Sequence, residues 1–130
     1  GAGIEWVVGD AKTPPFERSS FDRVLLDAPC TGLGTLRRRP EIRHRVGETS
    51  AAKMGRLQRR MIEAALDLVR PGGRLVYSVC TVTSEETTNV VQGKGSRPPA
   101  GLPGMDLGWG LLLAPHLTNS DGMFVAVIDR

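Results

Sequence analysis

The sequence predicts an α/β fold in a single domain. Short apolar, β-branched runs alternate with one long amphipathic segment, Gly- and Pro-containing breaks separate them, and several runs end in an acid or a cysteine. At 130 residues and 14.0 kDa the chain is long enough for one domain, or part of one, with a modest core. Hydrophobic residues make up 40% and glycine contributes 16 positions, so the apolar class falls in the globular range and not the disordered one.

Ile4 to Val8 (IEWVV) reads as a first buried strand closed by Gly9-Asp10, and Thr13-Pro14-Pro15 breaks the chain after it. Phe21 to Asp27 (FDRVLLD) is a second strand, stopped by Pro29 and followed by the loop Thr31-Gly32-Leu33-Gly34. From Ser50, a candidate N-cap, apolar residues recur at Met54, Leu57, Met61, Ala65 and Leu68, which is the spacing of one helix face. Pro71-Gly72-Gly73 is expected to stop that helix.

Leu75 to Cys80 (LVYSVC) is a third buried strand. Thr83 with Glu86 three residues later has capping-box spacing and opens a short helix to about Val91. Residues 93–104 hold four Gly and three Pro and are expected to form a flexible or extended connector within the domain. Leu111 to Leu113 supplies a short strand, and Met123 to Ile128 a last one after the turn Ser120-Asp121-Gly122.

Several function classes are excluded or disfavoured. No apolar stretch approaches the roughly 18 residues of a membrane span, and residues 1–10 lack the basic and apolar regions of an export signal. Cys30 and Cys80 are too few for a disulfide scaffold. With only His44 and His116 beside them, no zinc-type spacing can be drawn, so no metal is expected, and a reducing, cytoplasmic setting fits.

Charge is unevenly spread. Residues 37–60 carry nine basic side chains against two acidic ones, hence +7, and the other residues carry eight against twelve, hence −4. Such a block attracts polyanions, although a solvated helix face and loop have the same composition.

In an α/β sheet, ligands gather at the carboxyl ends of the strands. Asp10, Asp27 with Cys30, and Cys80 all fall there. Taken singly, an acid at a strand end serves equally as a turn cap, and a cysteine in an apolar run as a small buried hydrophobe.

Taken together, these residues resemble a known family. Phe21-Asp22-Arg23-Val24-Leu25-Leu26-Asp27-Ala28-Pro29-Cys30-Thr31-Gly32, Arg38-Arg39-Pro40-Glu41, Leu57-Gln58, and Pro71-Gly72-Gly73-Arg74-Leu75-Val76-Tyr77-Ser78-Val79-Cys80-Thr81 with Glu85-Glu86 and Asn89 resemble the Sun (Fmu, RsmB) family of RNA cytosine-5 methyltransferases. The resemblance runs from Gly9 to about Val91 and resumes at Pro115-His116 and Asp121-Gly122-Met123-Phe124. It implies a Rossmann-like class I methyltransferase fold, S-adenosyl-L-methionine as cofactor and RNA as partner, with small-subunit ribosomal RNA the expected substrate and transfer RNA the alternative.

The family's chemistry calls for two thiols. The fifth carbon of cytosine is a poor nucleophile until a thiolate adds to the sixth, and the adduct must later be released. By resemblance Cys80 attacks and Cys30 assists release. DNA cytosine methyltransferases use the cysteine of the Pro-Cys motif as nucleophile instead, and sequence chemistry alone does not choose between the two. Asp27 can hydrogen-bond or protonate the cytosine ring as the thiolate adds; the resemblance places it close to the cofactor and implies that the Asp10 carboxylate accepts a hydrogen bond from the adenine amino group. The basic block then has a use: Arg37, Arg38 and Arg39 directly follow the Pro-Cys loop, where substrate phosphates would approach if the target base is extruded into the site.

The Gly-rich cofactor loop and ribose-binding acid that precede these motifs in the family do not occur in the chain. It is therefore expected to be the C-terminal part of a catalytic domain, lacking the N-terminal part, with a gap in the family's strand order 3-2-1-4-5-7-6 and little activity of its own. Three alternatives stand beside this reading. They are an amino-group methyltransferase, which would need no thiol at Cys80; an RNA-binding remnant without turnover; and a thiol redox protein, which the lack of a CxxC spacing disfavours.

Overall fold

A computed structural model describes residues 3–130. Its one sheet has five strands in the order β1-β2-β5-β4-β3. The strands are β1 (Phe21–Asp27), β2 (Val69–Val79), β3 (Met105–Asp106), β4 (Leu111–Leu113) and β5 (Met123–Asp129). β1 and β2 run parallel, and every other pairing is antiparallel. The order β1-β2-β5-β4 is the 4-5-7-6 half of the expected strand order.

Helix α1 (Ser50–Leu68) makes the crossover from β1 to β2. Its inner face buries Gln58, Met61, Ile62, Ala65 and Leu68; of the predicted stripe, Met61, Ala65 and Leu68 are buried, Met54 and Leu57 are half-buried, and Gln58 and Ile62 join the packed face. Leu75, Tyr77 and Val79 on β2 and Phe124, Ala126 and Ile128 on β5 meet it from the sheet, with Val90 and Val91 of helix α2 (Thr88–Val91) completing the core. Tyr77 and Phe124 pack edge to face with centroids 6.4 Å apart, the arrangement that the ring quadrupoles favour. None of the helices described is long and apolar enough to cross a membrane.

Three expectations are corrected. Ile4 to Val8 forms no strand, and Ile4, Trp6, Val7 and Val8 are exposed. A strand requires a partner for its backbone groups, and among the described residues no strand lies on the outer side of β1. On that open edge Leu25 is 69% exposed.

Pro71-Gly72-Gly73 does not stop α1, because Val69 already turns extended (φ −77°, ψ 131°) and begins β2. The three residues lie instead in an irregularity of the β1–β2 register, between the pairs Phe21–Val69 and Arg23–Arg74. Gly72 there takes φ +82°, a conformation that glycine adopts without a Cβ penalty.

Ser50 is the first helical residue and not the N-cap; Thr49 holds that place without a side-chain cap. Ser50 Oγ accepts the Gly47 N–H at 3.0 Å from the turn before.

Residues 93–104 lie between α2 and β3 without a helix or named strand, tied to the sheet at Arg97. Arg97 exchanges both backbone hydrogen bonds with Val127, at 2.9 and 2.8 Å, and its guanidinium pairs with Asp129 at 2.9 Å. This continues the β5 edge beyond the end of the short β4.

Gly55 marks a close approach of α1 to the segment after β2. A Cβ at Gly55 would collide with the Glu85 carbonyl oxygen, a backbone atom that has no rotamer by which to yield. Gly55→Ala should therefore lower stability by about 1–3 kcal/mol, although alanine is the better helix former. Urea melts of the two chains read the difference, and an unchanged midpoint would contradict the packing described.

Candidate active site

The parallel pairing of β1 with β2 aligns the two motifs. Asp27 stands opposite Ser78 in the register, and the Ala28 N–H donates to the Ser78 carbonyl at 3.0 Å. Cys30 and Cys80 thus leave neighbouring strands at the same edge, and their Sγ atoms lie 3.3 Å apart.

Backbone contacts hold the loops there. The Gly34 N–H donates to the Cys80 carbonyl at 3.0 Å, and the Gly122 N–H donates to the Gly34 carbonyl at 2.7 Å. A Cβ on Gly34 would run into the Gly122 carbonyl, so glycine is required for this approach.

A cavity of about 570 Å³ opens over the thiols. Asp27, Cys30 and Cys80 line it together with Thr31, Arg39 and Arg45. The structure therefore unites four of the expected site residues: Asp27, Cys30, Cys80 and Arg39.

The others lie elsewhere. Arg38 pairs with Asp121, its Nε 2.6 Å from Oδ2, and Arg37 donates to the Asn119 side chain at 3.3 Å. Arg37 lines a different pocket with Leu36 and His116.

Asp10 lies outside the thiol cavity. It accepts the Lys12 N–H at 2.8 Å and pairs with the Lys12 ammonium at 3.4 Å. The Lys12 backbone donor, with its charge behind it, holds the Asp10 carboxyl below the usual range. Asp10 therefore does cap a local turn. It also lines an apolar pocket of about 250 Å³ with Val7, Pro15, Phe16 and Leu25, beside the strand that carries Asp27.

Sequence reasoning missed two features. Arg45 faces the thiol cavity although it is eight residues beyond Arg37. The short 3-10 helix Pro40–His44 carries the chain around so that Arg39 and Arg45, at its two ends, both line the cavity. Its proline start was the available signal.

The second is Glu86, fully buried beneath the two cysteine loops. The Thr83–Glu86 spacing was legible, but the pair meets side chain to side chain, at 2.8 Å, without capping a helix. The Glu86 carboxylate turns inward instead and accepts the Thr31 N–H at 2.8 Å.

Burial, and after it the hydrogen bond with the Cys80 thiol, push the Cys30 thiol above its ordinary value of 9.0. Cys30 is therefore a protonated thiol at neutral pH, with Cys80 Sγ in hydrogen-bond reach. Two adjacent sulfurs, a carboxylate at a strand end and two guanidinium groups can support covalent chemistry on an anionic substrate. Among the described residues, no group of three or more His, Cys, Asp or Glu side chains is placed to hold a metal ion.

A raised thiol pKa couples to stability. Above about pH 9 the unfolded chain releases a proton that folded Cys30 retains, so the contribution is complete below that pH and is lost as pH rises toward the folded value. Thermal midpoints followed from about pH 8 to about pH 10.5 should fall less steeply in Cys30→Ala than in the parent chain. Parallel slopes would contradict the burial of this thiol.

The geometry has relatives. A family model described as "16S rRNA methyltransferase RsmB/F" matches residues 3–129. Ribosomal RNA small subunit methyltransferase B of Thermus thermophilus is 43% identical, over 100% of this chain and 34% of that protein. The protein of the same name from Sodalis glossinidius is 36% identical, over 97% of this chain and 30% of that one. Among solved structures, NSun6 from Pyrococcus horikoshii with SFG superimposes with a TM-score of 0.73 at 31% identity, covering 95% of this chain and 34% of that one. The chain thus spans about a third of the length of these relatives, and it belongs to the RsmB/F family of methyltransferases.

Proposed function

We propose that this chain carries the thiol half of an S-adenosyl-L-methionine-dependent RNA cytosine-5 methyltransferase site, with small-subunit ribosomal RNA as substrate. The observation that carries the reading is the 3.3 Å separation of the Cys30 and Cys80 sulfurs in one cavity with Asp27. An amino-group methyltransferase has no use for paired thiols at the strand ends. Membership of a family described by 16S rRNA methylation supports the substrate class.

Each group then has a task. The Cys80 thiolate adds to the sixth carbon of cytosine, and the electron pair of the C5–C6 double bond moves onto C5, which becomes nucleophilic. Asp27, at the end of β1, hydrogen-bonds the ring and stabilises the charge that develops there. The cofactor supplies an electrophilic methyl group for C5.

A base then removes the C5 proton, the double bond re-forms, and the bond between Cys80 and C6 breaks. Cys30, protonated and 3.3 Å from the departing sulfur, assists that departure by donating its S–H.

Asp10 and its apolar pocket fit the adenine end of the cofactor. Val7, Phe16 and Leu25 offer walls for a flat ring, and the carboxylate offers an acceptor for an amino group. The SFG-containing structure of the Pyrococcus horikoshii relative is consistent with a small-molecule site in this fold.

Arg39 and Arg45 at the thiol cavity, with Arg37 and Arg38 on the adjoining surface, would meet the phosphates flanking an extruded base. Of these four, the two that line the cavity are the ones placed nearest the chemistry.

The test replaces the matching third of the Thermus thermophilus relative with these 130 residues and offers the chimera RNA and S-adenosylmethionine. Cys30→Ala should accumulate a covalent protein–RNA complex on denaturing gels. Cys80→Ala should form none and lose turnover by on the order of a thousandfold or more. A complex formed by Cys80→Ala but not by Cys30→Ala would reverse the two roles, and no complex in any form would remove the covalent mechanism.

A further inference from the structure

Glu86 is fully buried, and its two carboxylate oxygens accept five hydrogen bonds. Oε1 takes the Thr31 N–H at 2.8 Å and the Gln58 Nε2–H at 3.3 Å. Oε2 takes the hydroxyls of Thr31 at 2.7 Å, Thr81 at 2.8 Å and Thr83 at 2.8 Å. None of the salt bridges among the described residues involves it, so neutral dipoles alone satisfy this carboxylate.

The identity of the donors is informative. Thr31 directly follows Cys30, and Thr81 directly follows Cys80. Gln58 reaches from α1 to Glu86 and also donates to the carbonyl of Pro29, the residue before Cys30, at 2.9 Å. One carboxylate therefore grips the chain beside both sulfurs, and Gln58 closes the grip from the third side. Hydrogen bonds to a carboxylate acceptor are short and strong, and in a fully buried site the loss of that acceptor leaves its donors unsatisfied.

We propose that Glu86 is a positioning residue that sets the spacing of the Cys30 and Cys80 thiols. It touches neither sulfur and acts through the peptides that follow them. The proposal rests on Cys30 and Cys80 being the working pair, but its test does not depend on catalysis.

The alternative is that Glu86 only stabilises the fold, since its backbone carbonyl also accepts the buried Tyr77 hydroxyl at 2.8 Å. Substituting the side chain leaves that backbone bond in place, so the two roles are separable.

Thiols held 3.3 Å apart should close readily into an intramolecular disulfide in a glutathione buffer. In that reaction two Cys S–H groups are oxidised while one oxidised glutathione is reduced to two reduced glutathione molecules. The position of the equilibrium measures the effective concentration of one thiol at the other.

The experiment uses the 130-residue chain itself and follows disulfide content by alkylation and mass spectrometry. Glu86→Gln is compared with the parent and with Val91→Ala, a core truncation chosen to lower stability without touching either loop. Glu86→Gln should reduce the effective concentration at least about tenfold relative to a Val91→Ala variant of equal or lower stability. Thr31→Val, nearly isosteric, removes one hydroxyl donor and should shift it in the same direction by less; it decides the matter if Glu86→Gln fails to fold.

Equal effective concentrations in the parent, Glu86→Gln and Thr31→Val would overturn the proposal, as would a parent chain that forms no disulfide. A positive result here with no covalent RNA complex in the chimera would leave the positioning role standing and remove the proposed methyl-transfer chemistry. The converse pair of results would remove only the positioning role.

Discussion

The parallel register between β1 and β2 is the constraint on which the rest depends. Asp27 lies beside Ser78, so two loops far apart in the chain begin at the same level of the same sheet edge. Parallel neighbours cannot be joined by a tight turn and need a long crossover. Here α1 is that crossover, and its buried face anchors the sheet while its polar residue Gln58 reaches the Pro29 carbonyl. Core packing and site geometry are thus produced by the same helix.

Once the strand ends are level, small residues and one carboxylate complete the approach. Gly34 and Gly122 let three backbone segments meet where any Cβ would intrude. Glu86 supplies a buried acceptor on which the hydroxyls of Thr31, Thr81 and Thr83 converge. The sulfurs then sit in a half-buried position that raises the Cys30 thiol and leaves one side open to the cavity. Arg39 and Arg45 give that opening a positive rim, while Arg38 is engaged by Asp121. Four arginines of the basic block are therefore divided between a cavity rim, Arg39 and Arg45, and side-chain pairing, Arg37 with Asn119 and Arg38 with Asp121.

Periodicity and punctuation made β1, α1, the second half of β2, β4 and β5 legible, because each buries one face or both against a neighbour within the chain. They failed at Ile4 to Val8, where an apolar β-branched run has no partner strand among the described residues, and strand character depends on pairing as much as on composition. They failed at Pro71-Gly72-Gly73, where residues that end helices also accommodate a register irregularity. Of the site, the cysteines and Asp27 were legible from their motifs and strand-end positions. Arg45 and Glu86 were not, since one depends on the course of a short 3-10 helix and the other on a carboxylate that turns inward from a sequence pattern normally associated with a cap.

The central claim is that Cys80, with Cys30 beside it, forms the covalent bond to cytosine. The most direct measurement incubates the chimera and S-adenosylmethionine with RNA bearing 5-fluorocytidine, whose fifth carbon has no proton to release, and maps the adduct by peptide mass spectrometry. The nucleotide attached to the peptide containing Cys80 is the result the account predicts. Attachment to the Cys30 peptide, or methylated RNA with no adduct on either, would contradict it.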